Sequence, residues 1–275
     1  MSINNLFKKG NILFTEKRFF EALEVYKEIW LKYPLNTRLP EEINKKINLY
    51  KEPIHQTFSN NQIEEFFQLQ KQGHVSIVIN KLSKYLKNDK EDILTISLLG
   101  KFYELSGDNE KGLYYHKMTV EKAPFEVAFY LNLRNTLRQS NNLEEELNVL
   151  YLAKILSLTD KSIDYEIAKL NTTLKNYSEA DTIYKQLLKD KNVSNEIIYS
   201  YCDNLIKNNK EDDAIKFLEK NKNVNSMDYF CQMTLGLANL KKKRYSLAKT
   251  YFLNSIKINP NNCQSYNLLA DYYSE

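Results

Sequence analysis

Residues 229–262 read YFCQMTLGLANLKKKRYSLAKTYFLNSIKINPNN, and their apolar side chains recur at the i, i+3, i+4 spacing of amphipathic helices. The pattern predicts two helices separated by the polar turn 241–244, with Pro260 ending the second helix. Gly236 and Ala248 are small enough to let two helix backbones approach closely, which favours an antiparallel hairpin. A single hairpin cannot bury its apolar face and therefore needs neighbours.

The same pattern returns along the chain at intervals of 34 residues. If Tyr229 is position 1, small residues stand at positions 8 and 20, a large apolar residue at 24 and proline at 32. Full copies begin, in one common register, at residues 59, 93, 127, 161, 195 and 229, and a half copy begins at 263. A further copy begins out of register at Ile3, with Gly10, Ala22, Tyr26 and Pro34 at those positions.

A 34-residue helical hairpin with these small and large positions resembles the tetratricopeptide repeat (TPR). The resemblance implies an all-α fold, a right-handed superhelical solenoid of antiparallel helix pairs. It divides the chain into an N-terminal repeat at 1–36, an inserted linker helix at 37–58 and a repeat array at 59–275. In such an array each repeat is expected to contact only its neighbours.

The insertion at 37–58 shifts the register between the first repeat and the array. Between Pro40 and Pro53, residues 41–51 are predicted to form a short helix. Either this segment is a hinge that separates the first repeat from the array, or it is an extra helix packed across the end of the array. Ile47 and Tyr50 favour the second alternative, because their side chains need a surface to cover them.

Composition argues against several classes of partner. The 275 residues include 39 Lys and Arg and 35 Asp and Glu, a formal net charge of +4 that is dispersed along the chain. This balance predicts neither nucleic-acid binding nor attachment to a membrane surface, and no apolar run reaches the roughly 18 residues of a membrane-spanning helix. Cys202, Cys231 and Cys263 share no metal-ligand spacing and suit a reducing compartment, so a cytoplasmic protein is expected.

No set of residues predicts catalysis, a cofactor or a metal site. His116 occupies position 24, where a packed core residue is expected, and His55 and His74 have no Cys, His or Asp cluster around them. The irregular copy at 127 has Arg134 and Glu146 at the two small positions, and we expect these side chains to pair where the helices cross. Function must therefore come from a surface rather than from an active site.

In TPR proteins the first helices line a concave groove that binds peptides. Carried onto the matching positions of this sequence, the resemblance implies one patch on three consecutive first helices. The expected groove residues are Asn132, Asn135, Arg138, Tyr165, Lys169, Tyr199 and Asp203, with Thr172 and Ile206 on the same faces. Asparagines could bond a peptide backbone, Arg138 and Lys169 an acidic group, and the tyrosines could stack.

The leading hypothesis is a non-enzymatic interaction scaffold that holds a protein or peptide partner in this groove. The alternative is the N-terminal substrate-recognition arm of a larger bacterial glycosyltransferase or sulfotransferase truncated at residue 275. Residues 263–275 supply only a first helix, with Leu268, Leu269, Tyr272 and Tyr273 crowded on it. That half repeat is a candidate for self-association.

Overall fold

A computed structural model describes residues 2–34, 36–190, 192–220 and 228–274, and within these ranges sixteen α-helices and no strands are found. Their bounds are α1 Ile3–Thr15, α2 Phe19–Lys32, α3 Arg38–Tyr50, α4 Asn60–Lys71, α5 Val75–Asn88, α6 Ile93–Leu105, α7 Asn109–Lys122, α8 Val127–Gln139, α9 Leu143–Leu156, α10 Lys161–Thr173, α11 Tyr177–Leu187, α12 Asn195–Lys207, α13 Glu211–Lys220, α14 Tyr229–Lys241, α15 Tyr245–Ile258 and α16 Cys263–Ser274. Within these ranges, no helix combines the length and the apolar character that crossing a membrane requires.

Six first helices begin 34 residues apart. They are α6, α8, α10, α12, α14 and α16, which start at 93, 127, 161, 195, 229 and 263. The helical hairpins therefore follow the 34-residue register of the apolar pattern. Residues 221–227, which close the copy that starts at 195, lie outside the described residues.

A left-handed residue ends each first helix at position 15 of its repeat. Gly73 and Gly107 take this position with φ of 84° and 86°, whereas Lys17, Asn141, Lys175, Asn209 and Lys243 take it with φ between 55° and 65°. At the best-formed hairpin the amide of Lys243 donates to Leu240 O at 2.8 Å and the amide of Arg244 donates to Asn239 O at 2.8 Å. These two bonds form the Schellman motif, which satisfies the last carbonyls of the helix and reverses the chain.

The small residue at position 8 makes room for the large residue at position 24. A Cβ added to Gly236 would lie 2.5 Å from the ring of Phe252, and one added to Gly10 would lie 2.6 Å from Tyr26. At Gly100 the neighbour is the imidazole of His116, which is completely buried as expected for a core position. In these three hairpins the close approach is therefore between a glycine backbone and a ring.

The chain forms two compact units, Met1–Ile163 and Asp164–Glu275. In the first unit the N-terminal hairpin packs against the end of the copy that starts at 93 and against the second helix of the copy that starts at 127. Phe125 lies 5.1 Å from Phe19 and 6.1 Å from Phe14, measured between ring centroids. Trp30 lies 5.8 Å from Tyr151 of α9. Contacts between helices so distant in sequence correct the expectation that each repeat touches only its neighbours.

Helix α3 packs against its own hairpin. Tyr50 lies 5.9 Å from Phe14 and 5.3 Å from Phe19, and the Arg38 guanidinium lies 4.5 Å from the centre of the Phe7 ring. Leu39 and Ile43 are buried. Because Lys51 then forms an ion pair of 2.8 Å with Glu126, the inserted segment joins the hairpin to the surface on which it docks. The insertion is therefore a packed helix, and the surface that covers Tyr50 belongs to the first hairpin.

Candidate functional site

An open groove of about 910 Å³ runs along the second unit. Its lining comes from the first helices α10, α12, α14 and α16, with one residue, Tyr184, from the second helix α11. The first helices lie side by side because the second helix of each hairpin packs on the side away from the groove. The large residue at position 24 fills the space between the two helices of its hairpin. The volume is at the upper end of the range of about 300–1,000 Å³ that is usual for ligand sites.

Four of the seven expected groove residues come together here. Tyr165, Lys169, Tyr199 and Asp203 all line the groove, as do Thr172 and Ile206. Asn132, Asn135 and Arg138 belong to α8 of the first unit. These three remain a predicted contact surface, on one face of a single helix.

Tyr165 is tied to the next first helix. Its hydroxyl donates to Glu196 Oε1 at 2.9 Å and lies 2.9 Å from Ser200 Oγ. Lys169 Nζ lies 5.4 Å from the centre of the Tyr165 ring and 4.0 Å from Glu196 Oε1. Burial, with a smaller contribution from Glu196, raises the pKa of Tyr165 to about 12, so the hydroxyl stays protonated.

Tyr199 makes the equivalent link one repeat later. Its hydroxyl donates to Asp228 Oδ2 at 2.7 Å, and its ring stacks on Phe230 at 5.5 Å. Asp228 also caps α14 by accepting from the Phe230 amide at 2.9 Å. Burial and the bond to this carboxylate both raise the pKa of Tyr199. The pair therefore sets the position of one aromatic side chain on the groove wall.

Tyr184 is the groove residue that sequence reasoning missed. It occupies position 24 and was expected to be only a core residue, and its side chain is fully buried. The residue nevertheless contributes to the groove lining, where its hydroxyl lies beside those of Thr172 and Ser200. Burial raises the pKa of Tyr184, so the group is a neutral donor. The only feature of the sequence that could have indicated this role is that position 24 is a tyrosine here, rather than a leucine or a phenylalanine.

A buried carboxylate in the first unit is held by one of the expected groove residues. Glu146 is fully buried, and its Oε1 accepts from Arg138 Nε at 2.7 Å and lies 2.7 Å from Arg138 Nη2. The sequence had suggested Arg134, one turn earlier on α8, as the partner of Glu146. Because Arg138 compensates a buried charge, reversing its charge would disturb the fold as well as any partner contact.

Within the described ranges no group of three or more His, Cys, Asp or Glu side chains could hold a metal ion. All three cysteines are free thiols, and Cys202 and Cys231 are buried. Burial raises the pKa of Cys202 far above its usual value, which leaves the thiol unreactive.

Comparison with known proteins supports the fold. No family model and no curated protein matches the chain. Among solved structures, YrrB, "a TPR protein with an unusual peptide-binding site", is similar with a TM-score of 0.51 at 13% identity, over 68% of this chain and 96% of YrrB. A tetratricopeptide repeat protein from Parabacteroides merdae is similar with a TM-score of 0.51 at 14% identity, over 98% of both chains.

A third similar structure is the Cut9–Hcn1 hetero-tetramer of the APC/C, with a TM-score of 0.50 at 19% identity, over 98% of this chain and 56% of that one. Identities this low establish architecture rather than activity. The helix pairs, the 34-residue register and these likenesses together show that the chain has the tetratricopeptide-repeat fold.

Proposed function

We propose that this protein is a non-enzymatic interaction scaffold that binds a peptide segment of a partner protein in the groove of the second unit. The observation that carries the proposal is the groove itself. It is open along its length, and its lining combines aromatic, apolar and hydrogen-bonding side chains. Such a mixture offers apolar contact together with hydrogen bonds that can fix the orientation of a ligand.

The side chains of the groove lining are also pre-organised by hydrogen bonds between neighbouring helices. Tyr165 is bonded to Glu196 on the next first helix, and Tyr199 is bonded to Asp228 at the start of the one after that. Ordering side chains on binding costs roughly 0.5–1.5 kcal/mol for each one, so side chains that are already fixed lower this cost. The structural likeness to YrrB and to Cut9 adds support, because those proteins are described with a peptide-binding site and in a protein complex respectively.

Selection of peptides from a random 12-residue phage-displayed library on the immobilised protein tests the proposal. Enriched peptides would be synthesised with a fluorescent label and titrated by polarisation. Lys169→Trp fills the groove at an exposed position and is expected to weaken these peptides at least about tenfold, because it adds bulk where the ligand lies.

Lys185→Trp is the matched control for this experiment. Lys185 lies in the same unit on α11 and outside the groove lining, its side chain is similarly exposed, and it too has one carboxylate partner, Asp181. Peptides should bind this variant as they bind the wild type. Peptides that bind Lys169→Trp as tightly as the wild type, or a selection that enriches none, would show that the groove is not a peptide site.

Several finer parts of the proposal come from the sequence. The scaffold is cytoplasmic, Asn132, Asn135 and Arg138 form a second contact surface on α8, and α16 is a candidate for self-association. The alternative, a recognition arm of a larger glycosyltransferase or sulfotransferase, adds a catalytic domain outside residues 1–275. No observation on the described residues favours that alternative.

A further inference from the structure

We infer that the groove takes a peptide segment with an Arg or Lys side chain, whose cationic group binds the Asp228 carboxylate beside the rings of Tyr199 and Phe230. The inference rests on the proposed function and names the chemistry of its ligand. Two neighbouring repeats that are otherwise built alike differ at this place.

Two tyrosine–carboxylate pairs line the groove, one repeat apart. Tyr165 and Tyr199 both stand at position 5 of their repeats. The hydroxyl of Tyr165 donates to Glu196 at 2.9 Å, and the hydroxyl of Tyr199 donates to Asp228 at 2.7 Å. Each pair therefore joins one first helix to the start of the next.

The first of these pairs has a cation of its own. Lys169, at position 9, lies one turn beyond Tyr165 on α10. Its Nζ lies 5.4 Å from the centre of the Tyr165 ring and 4.0 Å from Glu196 Oε1. An aromatic ring and a carboxylate both attract an ammonium group, and here one ammonium group serves both.

The second pair lacks this cation. Position 9 of its repeat is Asp203, which brings a negative charge where Lys169 brings a positive one. Asp203 is paired with Lys207 on its own helix at 2.8 Å. Among the described residues no basic side chain forms an ion pair with Asp228. Of the three carboxylates in the groove lining, this is the one that the described chain leaves without a cation.

The partners that Asp228 does have are neutral. Its Oδ2 accepts from the Tyr199 hydroxyl and, at 3.5 Å, from Asn195 Nδ2, and its Oδ1 accepts from the Phe230 amide at 2.9 Å. These bonds hold the carboxylate in place without neutralising it, and the positive end of the α14 dipole offsets only about half of one charge. A carboxylate has about four acceptor positions, so there is room for a ligand N–H as well.

Aromatic rings lie beside this carboxylate. Phe230 stacks on Tyr199 at 5.5 Å between ring centroids and lies 4.2 Å from Tyr229, and the Phe230 side chain is 37% exposed. All three rings belong to the groove lining. Aromatic rings attract cations, most strongly where water is partly excluded. The second pair therefore offers a ligand the same two attractions that Lys169 finds at the first.

The next first helix adds an apolar surface. Positions 5 and 9 of the repeat that starts at 229 are Met233 and Leu237, and both line the groove. The methylene groups of an Arg or Lys side chain pack on such a surface while the charged end stays with a polar partner. The groove therefore suits a long basic side chain better than a free inorganic cation.

An acidic ligand finds no equivalent place. Lys169, which the sequence suggested as a contact for an acidic group, is paired with Glu196, and Lys207 is paired with Asp203. A ligand carboxylate would have to break one of these pairs, and it would meet the like charge of Asp228. The charge that the lining leaves uncompensated thus favours a basic side chain.

Asp228→Asn tests the inference with the peptides selected in the groove experiment, synthesised with blocked termini. Asparagine is as good a helix cap as aspartate, and its amide can still bond the Tyr199 hydroxyl. The variant should therefore remain folded by circular dichroism. Loss of the charge should weaken peptides that carry Arg or Lys at least about fivefold, because a charge-assisted bond is lost.

Asp213→Asn is the matched control. Asp213 lies in the same unit, is exposed in the first turn of α13 and does not line the groove. The substitution changes the net charge of the protein by the same amount, again near the beginning of a helix. Peptide affinity should stay at the wild-type value.

A change in the peptide completes a double-mutant cycle. Arg→Gln or Lys→Gln in the peptide should weaken binding to the wild type by about the same factor as Asp228→Asn does, and should have little further effect in that variant. Affinity for the wild type should also fall at least about threefold as the salt concentration rises from about 50 to 500 mM, because an ion pair is screened.

The outcomes separate the inference from the proposed function. Peptides that Lys169→Trp excludes, but that contain no Arg or Lys or that bind Asp228→Asn at the wild-type affinity, would overturn the inference and leave the groove function standing. Full additivity in the double-mutant cycle would overturn it as well, because the two groups would then not be in contact. If the selection enriches no peptide sensitive to Lys169→Trp, both proposals are wrong.

Discussion

Glu104 is a carboxylate enclosed by four polar side chains. Lys101 Nζ lies 2.7 Å from its Oε1, Gln139 donates to the same oxygen at 3.2 Å, Thr136 donates to Oε2 at 3.0 Å, and His116 Nε2 lies 3.6 Å from Oε2. Burial alone would raise the pKa of Glu104. The nearby His116, Lys101 and Thr136 outweigh that effect and lower the pKa to about 2.

Glu104→Gln is expected to lower the free energy of unfolding at pH 7 by on the order of 2 kcal/mol. Because the folded-state pKa lies below the usual value of about 4.3, the stabilisation is present above pH 4.3 and is lost as the pH falls towards 2. The gap between wild type and variant should therefore shrink on acidification from pH 5 to pH 2.5 in urea titrations. Glu64→Gln, at an exposed site on α4, is the control. A gap of constant size would show that the charge of Glu104 does not stabilise the fold.

Residue-level reasoning from the sequence succeeded where the repeat position set the environment. His116 was expected in the core from position 24, and it is fully buried. This reasoning did not indicate every polar partner, since Glu146 is bonded to Arg138, one turn beyond the arginine expected. A second arginine on the same helix can reach this carboxylate, because side-chain reach as well as sequence spacing decides such contacts.

Each helical hairpin depends on the residue at position 15. Glycine takes this left-handed position in two repeats, whereas lysine or asparagine takes it in the hairpins that start at 3, 127, 161, 195 and 229. A left-handed conformation costs a residue with a Cβ roughly 1–2 kcal/mol. The hydrogen bonds that end the first helix outweigh this cost.

Lys243→Gly should raise the free energy of unfolding of the second unit by about 0.5–1 kcal/mol. Glycine relieves the strain at φ 57°, although its greater freedom in the unfolded chain offsets part of the gain. Thermal unfolding followed by circular dichroism measures the effect. Lys241→Gly, two residues earlier at the last position of α14, should instead destabilise by about 0.5 kcal/mol, because glycine has a low helix propensity. Equal shifts in both variants would mean that the left-handed conformation is not the cause.

Within the first unit, the N-terminal hairpin packs on repeats that are distant from it in sequence, so the packing does not follow the linear order of the repeats. It docks on the end of the copy that starts at 93 through an aromatic cluster of Phe14, Phe19, Tyr50 and Phe125, and on α9 of the next copy through Trp30 and Tyr151. Asn148 of α9 adds hydrogen bonds to Glu24 and Lys27 of α2. The 22-residue insertion supplies the chain length that this return requires.

Phe125→Ala should release the hairpin. Phe125 is 5% exposed, and truncating a buried phenylalanine costs about 3–5 kcal/mol. Amide hydrogen exchange in α1 to α3 is expected to accelerate, while exchange in the second unit stays unchanged. Phe66→Ala removes an equally buried ring from the other cluster of the same unit and should accelerate exchange in α4 to α6 instead. Unchanged protection of α1 to α3 in Phe125→Ala would show that other contacts hold the hairpin.

Local pattern was enough to establish the helices, their 34-residue register and the face of each first helix, because these depend on side chains a few residues apart and on contacts repeated at one spacing. The groove positions themselves came from the resemblance to TPR proteins, which placed seven residues in one patch, and four of them, Tyr165, Lys169, Tyr199 and Asp203, line the groove of the second unit. The docking of the hairpin and the place of Tyr184 in the groove lining depend instead on which side chains meet in space. Docking requires a loop to close and two surfaces to fit, and neither can be deduced from residues a few positions apart.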